Sequence, residues 1–213
     1  MKGFLIDEIV DGNRKTYDFL AQNYESVVSE NFKATKEAVE ALASLVKGEE
    51  CLDIGRGVGL STKMLSDSGL IMTGIDISPK MIELAKKRCL RVKFITGDFL
   101  QYQFEQKFKG VFSLAFIHLF PKEVAVEILK KVYMLLDIDG FFYFGTTVSK
   151  KSSEGWEIKS DIFFPKNIKR RYRKHWMEDE LKDILKEVGF NIVKIYHIDD
   201  PRGKIWMDFL VKK

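Results

Sequence analysis

The chain reads as an α/β protein, a three-layer α/β/α sandwich around a mostly parallel, doubly wound sheet of seven strands that closes in an antiparallel hairpin. Three observations predict this. Short apolar runs alternate with helix-period segments from residue 51 to residue 147. The run Val111–Phe116 is apolar almost throughout, which suits a strand covered on both faces. The last two strand-like runs, 191–198 and 204–211, are joined by Asp199-Asp200-Pro201-Arg202-Gly203, too short to join anything but antiparallel neighbours.

The elements follow in order. Residues 14–29 place Tyr17, Leu20, Ala21, Tyr24, Val27 and Val28 on one helical stripe, and 36–47 repeat the pattern before Gly48 stops it. Cys51–Ile54 is a short strand, glycines follow, and Leu60–Leu65 opens a helix. Leu70–Ile75 is the second strand, ending at Asp76. Ser78 then supplies an N-cap and Pro79 the first helical residue. Val92–Thr96 and Val111–Phe116 are the third and fourth strands, Pro121 opens a helix, and Asp139-Gly140 turns into the fifth strand, Phe141–Thr147. Residues 148–175 are polar, aromatic and basic without clean periodicity, and read as an inserted segment. A helix over Glu178–Val188, stopped by Gly189, precedes the hairpin.

A length of 213 residues suits one domain, 1–213, that buries roughly 70% of its unfolded surface without staples. The net charge of +4 permits an anionic partner without requiring one. Cys51 and Cys89 form no C-x-x-C pair and read as small buried hydrophobes in a reducing compartment. His118, His175 and His197 lie too far apart for a zinc spacing, so no metal is expected. The start MKGFLIDEIVDGNRK is too acidic and too briefly apolar for a signal peptide, and no run approaches the ~20 residues of a membrane span. The expectation is a cytoplasmic protein.

Chemistry concentrates in CLDIGRGVGLS, residues 51–61. Open α/β sheets bind ligands at the carboxyl ends of their strands. Asp53, Asp76 and Asp98 each fall at or just past such an end. Asp76 follows Gly55 by 21 residues (76 − 55), the spacing at which an acid can take hydrogen bonds from ribose hydroxyls. An adenosine-bearing cofactor is implied. The dinucleotide fingerprint is not met, because Leu60 stands where its third Gly or Ala belongs. Asp53 would repel a pyrophosphate and attract an ammonium or sulfonium group. The cofactor that joins adenosine to a cationic amino-acid end is S-adenosylmethionine.

LDIGRGVG (52–59), GIDIS (74–78), GDF (97–99), FIHLFP (116–121) and the closing hairpin together resemble the class I S-adenosylmethionine-dependent methyltransferases, with their Rossmann-like sheet. The helix carrying Tyr24 and the ending DDPRGKIWMDFLVKK look like a bacterial, small-molecule-type branch. The resemblance implies that Asp53, Gly55, Gly57 and Gly59 cradle the methionine end of the cofactor. It implies Asp76 on the ribose, Ile77 packed on the adenine, Asp98 and the Phe99 backbone at the adenine edge, and Phe116 lining the transfer position. Tyr24 would belong to a lid over the cofactor, formed by helices 14–47, with 148–175 on the substrate side. S-adenosylhomocysteine would be the product.

Two positions depart from the family. Arg56 stands where a small residue is preferred, and either pairs with the cofactor carboxylate or points to solvent; Lys109-Gly110 replaces a common acid. No Asn/Asp-Pro-Pro-Tyr motif follows the fourth strand, which argues against amino-methyltransferases acting on adenine or glutamine. His118, just beyond that strand, is the candidate general base, with seating of the Pro121 helix as its alternative role. PKNIKRRYRKHW (165–176) holds six Lys/Arg and reads as a solvated basic face, a lid for an anionic substrate, or an RNA contact. Trp156 is either a substrate wall or a core plug. The expected function is methyl transfer to an oxygen or nitrogen of a small molecule. An RNA methyltransferase and a non-catalytic cofactor-binding regulator stand as alternatives.

Overall fold

The computed structural model describes residues 2–21, 24, 32–158, 170–199 and 205–213. The expected helix beyond Ala21 (except Tyr24), the basic residues 165–169 and the turn 200–204 lie outside these. Helices α1 (Lys2–Leu20) and α2 (Phe32–Ala43) precede β1 (Glu50–Ile54), α3 (Leu60–Asp67), β2 (Ile71–Asp76), α4 (Pro79–Arg88) and β3 (Lys93–Thr96). Then come β4 (Phe108–Leu114), a 3-10 turn (Ile117–Leu119), α5 (Lys122–Leu135) and β5 (Leu136–Val148). The chain continues through β6 (Ser153–Ile158), β7 (Arg170–His175), α6 (Glu178–Val188), β8 (Asn191–Asp199) and β9 (Ile205–Lys212). No described helix is long and apolar enough to cross a membrane.

The main sheet has seven strands in the order β3-β2-β1-β4-β5-β9-β8. The first five run parallel, and β9 lies antiparallel to both β5 and β8. Strand order reverses between β1 and β4, so a crevice opens where their carboxyl ends diverge. Alternation along each strand separates two cores. Leu52, Ile54, Val111, Phe142, Phe144 and Phe209 face α5 and α6. Cys51, Met72, Phe112, Tyr143 and Leu210 face α2 and α3. Parallel ring stacking of Phe142, Phe144 and Phe209, at 4.8 and 5.1 Å between centroids, spans β5 and β9. Ser78 caps α4 by accepting from the Met81 N–H at 3.1 Å, and Gly189 ends α6 at φ 106°.

Three boundaries differ from the sequence reading. Helix α1 starts at Lys2 rather than 14, because Ile6, Ile9, Val10, Asn13, Tyr17 and Leu20 continue one apolar stripe toward the N-terminus. A buried asparagine on that stripe hides it from a count of apolar residues. Strand β4 stops at Leu114, because Ala115 turns left-handed at φ 60°. Strand β5 begins at Leu136, directly after α5, and pairs there with Phe108.

The larger difference lies within 148–175. Strands β6 and β7 form a separate antiparallel pair, with Trp156 opposite Tyr172 and Glu157 opposite Arg171. Arg171, Tyr172, Arg173 and Lys174 are all buried, so this part of the basic run is not a solvated face. Both faces of β7 are covered, which erases the alternation that would have marked a strand. Glu157 lies 3.3 Å from Arg171 and 3.4 Å from Arg173, and Glu180 lies 3.1 Å from Lys174. Trp156 is a plug: its ring presses on α1 at Gly12, where a Cβ would come within 2.5 Å of it.

One amide joins three of these elements. Asn13 on α1 donates from Nδ2 to the Leu119 carbonyl at 2.8 Å and accepts from the Tyr172 N–H at 3.0 Å. Asn13→Ala would leave a buried N–H and a buried carbonyl unpaired. It should lower unfolding free energy by roughly 1–3 kcal/mol in urea titration, with the slope unchanged.

Candidate active site

The glycine loop begins where β1 ends. Gly55, Gly57 and Gly59 have φ of 64°, 54° and 79°, the left-handed region that favours glycine. At Gly55 the reason is doubled, because a Cβ would run into the Phe116 ring. The loop then turns into α3, and Gly57 donates its N–H to Asp76 Oδ2 at 2.9 Å. The second strand's acid is therefore fastened to the first strand's loop.

Asp53 is almost fully buried on β1. Its Oδ2 accepts from Ser61 Oγ at 2.9 Å and Thr62 Oγ1 at 2.6 Å, both in the first turn of α3. Its Oδ1 is buried with no hydrogen-bond partner among the described residues. Burial pushes the carboxyl pKa up to about 6, against the opposing pull of the two hydroxyls and Arg56. Asp76 is also raised by burial, while the Ser78 and Gly57 N–H groups pull it down. Asp98 accepts from the Leu100 N–H at 2.9 Å just past β3.

These acids border one cavity of about 610 Å³, a volume suited to a small ligand. Tyr24, Asp53, Gly55, Gly57, Asp76, Ile77, Asp98, Phe99 and Phe116 all line it. Helix α2 adds Thr35 and Glu37, and the hairpin adds His197, Ile198, Trp206 and Asp208. Helix α1 closes in beside Asp76: Asp18 Oδ1 accepts from Ser78 Oγ at 2.5 Å and from the Lys80 N–H at 3.2 Å. Tyr17 meets Tyr24 edge to face at 6.0 Å.

Two expected residues lie outside the wall. Gly59 sits behind the loop as the N-cap of α3, where a Cβ would meet Ala85 at 2.7 Å. His118 does not face the cleft. The left-handed Ala115 and the 3-10 turn swing Phe116 into the cavity and His118 away from it. The buried imidazole has Nδ1 3.0 Å from Thr146 Oγ1 on β5 and meets Trp206 edge-on.

Arg56 does not point to solvent. It folds beneath the loop with its guanidinium 3.9 Å from the Phe94 ring centroid, and its three nitrogens find no hydrogen-bond partner among the described residues. Burial lowers its pKa, while Asp53 and Asp76 oppose that shift. Its methylene stem fills the space above Gly74, where any Cβ would collide with Cδ.

Asp208 is among the wall residues that sequence reading missed. Its one signal is a lone acid inside the apolar strand WMDFLV. The collision at Gly74 is testable: Gly74→Ala should destabilise the fold by about 1–3 kcal/mol. Adding Arg56→Ala should recover most of that loss in a double-mutant cycle read by chemical denaturation.

Residues 51–140 match the family described as a methyltransferase domain. The chain is 37% identical over 100 residues to a demethylmenaquinone methyltransferase of Tropheryma whipplei, covering 43% of this chain and 42% of that protein. It thus spans about two fifths of that relative's length. An uncharacterised methyltransferase of Staphylococcus carnosus is 27% identical over 191 residues, covering 87% and 86% of the two chains. Among solved structures, the Burkholderia thailandensis 1,6-didemethyltoxoflavin-N1-methyltransferase, with its substrate and S-adenosylhomocysteine bound, superposes with a TM-score of 0.78 at 20% identity. That match covers 97% of this chain and 89% of the other. The chain therefore shares the fold of that methyltransferase, and its residues from β1 to the start of β5 match a methyltransferase domain in sequence.

Proposed function

We propose that the chain transfers the methyl group of S-adenosylmethionine to an oxygen or nitrogen of a small molecule, with S-adenosylhomocysteine as product. The observation that carries this reading is the set of Asp53, Asp76 and Asp98 on three adjacent strand ends around one cavity. The orphaned, buried Asp53 Oδ1 fits a cationic amino-acid end. Asp76 uses one lone pair of each oxygen within the chain, leaving others for ribose hydroxyls. Ile77 and Phe99 offer apolar surface to a purine, and Asp98 an acceptor for its amino group. The demethylmenaquinone and didemethyltoxoflavin enzymes bear names of small-molecule acceptors, which supports the same class here.

The cofactor supplies a methyl group on a sulfonium whose departure leaves a neutral thioether. The chain's own work is to align the nucleophile and exclude water. Phe116 and Phe120, 5.0 Å apart, supply an apolar wall beside Gly55. We assign His118 to seating the segment between β4 and α5, since its ring faces Thr146. We take 1–213 as one domain, in which α1 and α2 border the site and β7 braces α1. Its two cysteines, buried and free, fit a cytoplasmic protein.

The first test is calorimetric titration with S-adenosylhomocysteine beside NADH, followed by mass-spectrometric screening of acceptors. One-site binding of the former alone and a methylated product support the reading; binding of NADH instead refutes it. Asp76→Ala should weaken S-adenosylhomocysteine binding by roughly ten- to a hundred-fold while the fold persists. Unchanged affinity would reject the assigned ribose contact.

The Asp53 shift fixes a pH dependence. Its folded pKa, about 6, exceeds the unfolded value of about 3.9, so the ligand-free protein holds the extra proton between these limits. This residue's contribution to stability therefore falls as pH rises from about 4 to about 6, by about 3 kcal/mol in all. The ammonium group that S-adenosylhomocysteine retains at its amino-acid end needs the ionised form. Affinity for S-adenosylhomocysteine should rise with pH up to about 6 and then level off. Asp53→Asn should flatten that rise in titrations at pH 5, 6 and 7.5.

A further inference from the structure

The cavity continues past the cofactor residues. Asp53, Asp76 and Asp98 belong to the β3-β2-β1 half of the sheet, whereas Asp208 lies on β9, three strands beyond β1. At about 4.8 Å per strand that is roughly 14 Å to the side. The Asp208 carboxylate is 1% exposed and borders the cavity beside Trp206, Leu114 and Ile198.

Its setting is built. Tyr143 donates its hydroxyl to Oδ2 at 2.7 Å, and Trp206 donates Nε1–H to Oδ1 at 2.6 Å. Gly145 on β5 leaves the room that the carboxylate occupies, since a Cβ there would collide with Oδ1. Among the described residues no cation pairs with this buried carboxylate, which makes it costly to hold. A purely structural link between Tyr143 and Trp206 would need no charge. Two donors occupy two of about four acceptor positions, and the rest are available to a group that donates. Burial also pushes the Asp208 pKa up to about 6, so the group is mainly ionised at neutral pH.

From this geometry we infer that Asp208 is the acceptor-recognition residue. It receives a hydrogen bond from the O–H or ring N–H of a planar aromatic acceptor lying against the Trp206 indole. The inference rests on the proposal that the other half of the cavity takes S-adenosylmethionine. It narrows the acceptor to molecules that present a hydrogen-bond donor from an apolar, flat body.

The probes are 2-naphthol, which has the donor, and 2-methoxynaphthalene, which shares the rings and lacks it. Each is titrated into wild-type protein saturated with S-adenosylhomocysteine, then into Asp208→Asn. Expected is a preference of wild type for 2-naphthol by roughly ten- to a hundred-fold, the range of a hydrogen bond to a charged group, and loss of that preference in the variant. S-adenosylhomocysteine affinity should stay within about two-fold, which also reports that the variant is folded. Equal binding of the two probes to wild type, including no binding of either, overturns the inference, as does a preference that survives in Asp208→Asn. If the variant does not fold, a wild-type crystal structure with 2-naphthol decides: the hydroxyl on the Asp208 carboxylate supports the inference, and any other placement overturns it. Failure of S-adenosylhomocysteine to bind wild type refutes the cofactor proposal itself, a separate outcome seen before any naphthalene is added.

Discussion

The structure is organised around two carboxylates, Asp53 buried and Asp76 half-buried, at the carboxyl ends of parallel strands. Asp53 and Asp76 are both raised in pKa by burial, and each would be far costlier without the groups that surround it. Those groups dictate much of the local chain. The hydroxyls of Ser61 and Thr62 must open α3, the Gly57 amide must turn inward, and the Ser78 amide must lie at the start of α4. Arg56 adds a positive charge beneath the loop without a hydrogen bond to either acid. The placement of two helices and a loop follows from solvating two acids with protein dipoles.

Around that centre, the N-terminal helix joins the two sides of the cavity. Asp18 fixes α1 to the start of α4 beside Asp76, and Asn13 fixes it to the turn after β4 and to β7. Thr16 adds a bond to the Arg170 carbonyl at 2.8 Å. The buried arginines of β7 belong to this union. Arg173 donates to Thr147 Oγ1 at 2.5 Å, and Arg171 reaches Tyr17, so the small sheet packs through paired charges and hydroxyls more than through an apolar face.

Legibility in the sequence followed locality. The β1–loop–α3 segment, Asp76 with its Ser78-Pro79 cap, and the β8–β9 hairpin are all written in neighbouring residues, and the structure shows each. What depended on distant partners was not legible. Strand β7 lacks alternation because α1 and the 3-10 turn pack against it and bury four successive residues, Arg171 to Lys174. His118 was assigned to the cleft by topology, yet one left-handed residue, Ala115, turned it toward Thr146. Asp208 takes one of its two donors from Tyr143, 65 residues away. A sequence records a buried acid, but not which strand will bring it a phenol.

The Arg56–Gly74 contact also constrains how such a sequence can change over time. The two positions lie on different elements, and the arginine stem occupies the volume that any side chain at 74 would need. Glycine at 74 is compatible with either a small or a large residue at 56, whereas a larger residue at 74 tolerates only a small one. Substitution must therefore proceed in one order. A lineage can lose the arginine first and the glycine later, but losing the glycine first crosses a destabilised intermediate, so the pair sets the order in which the loop and β2 can change.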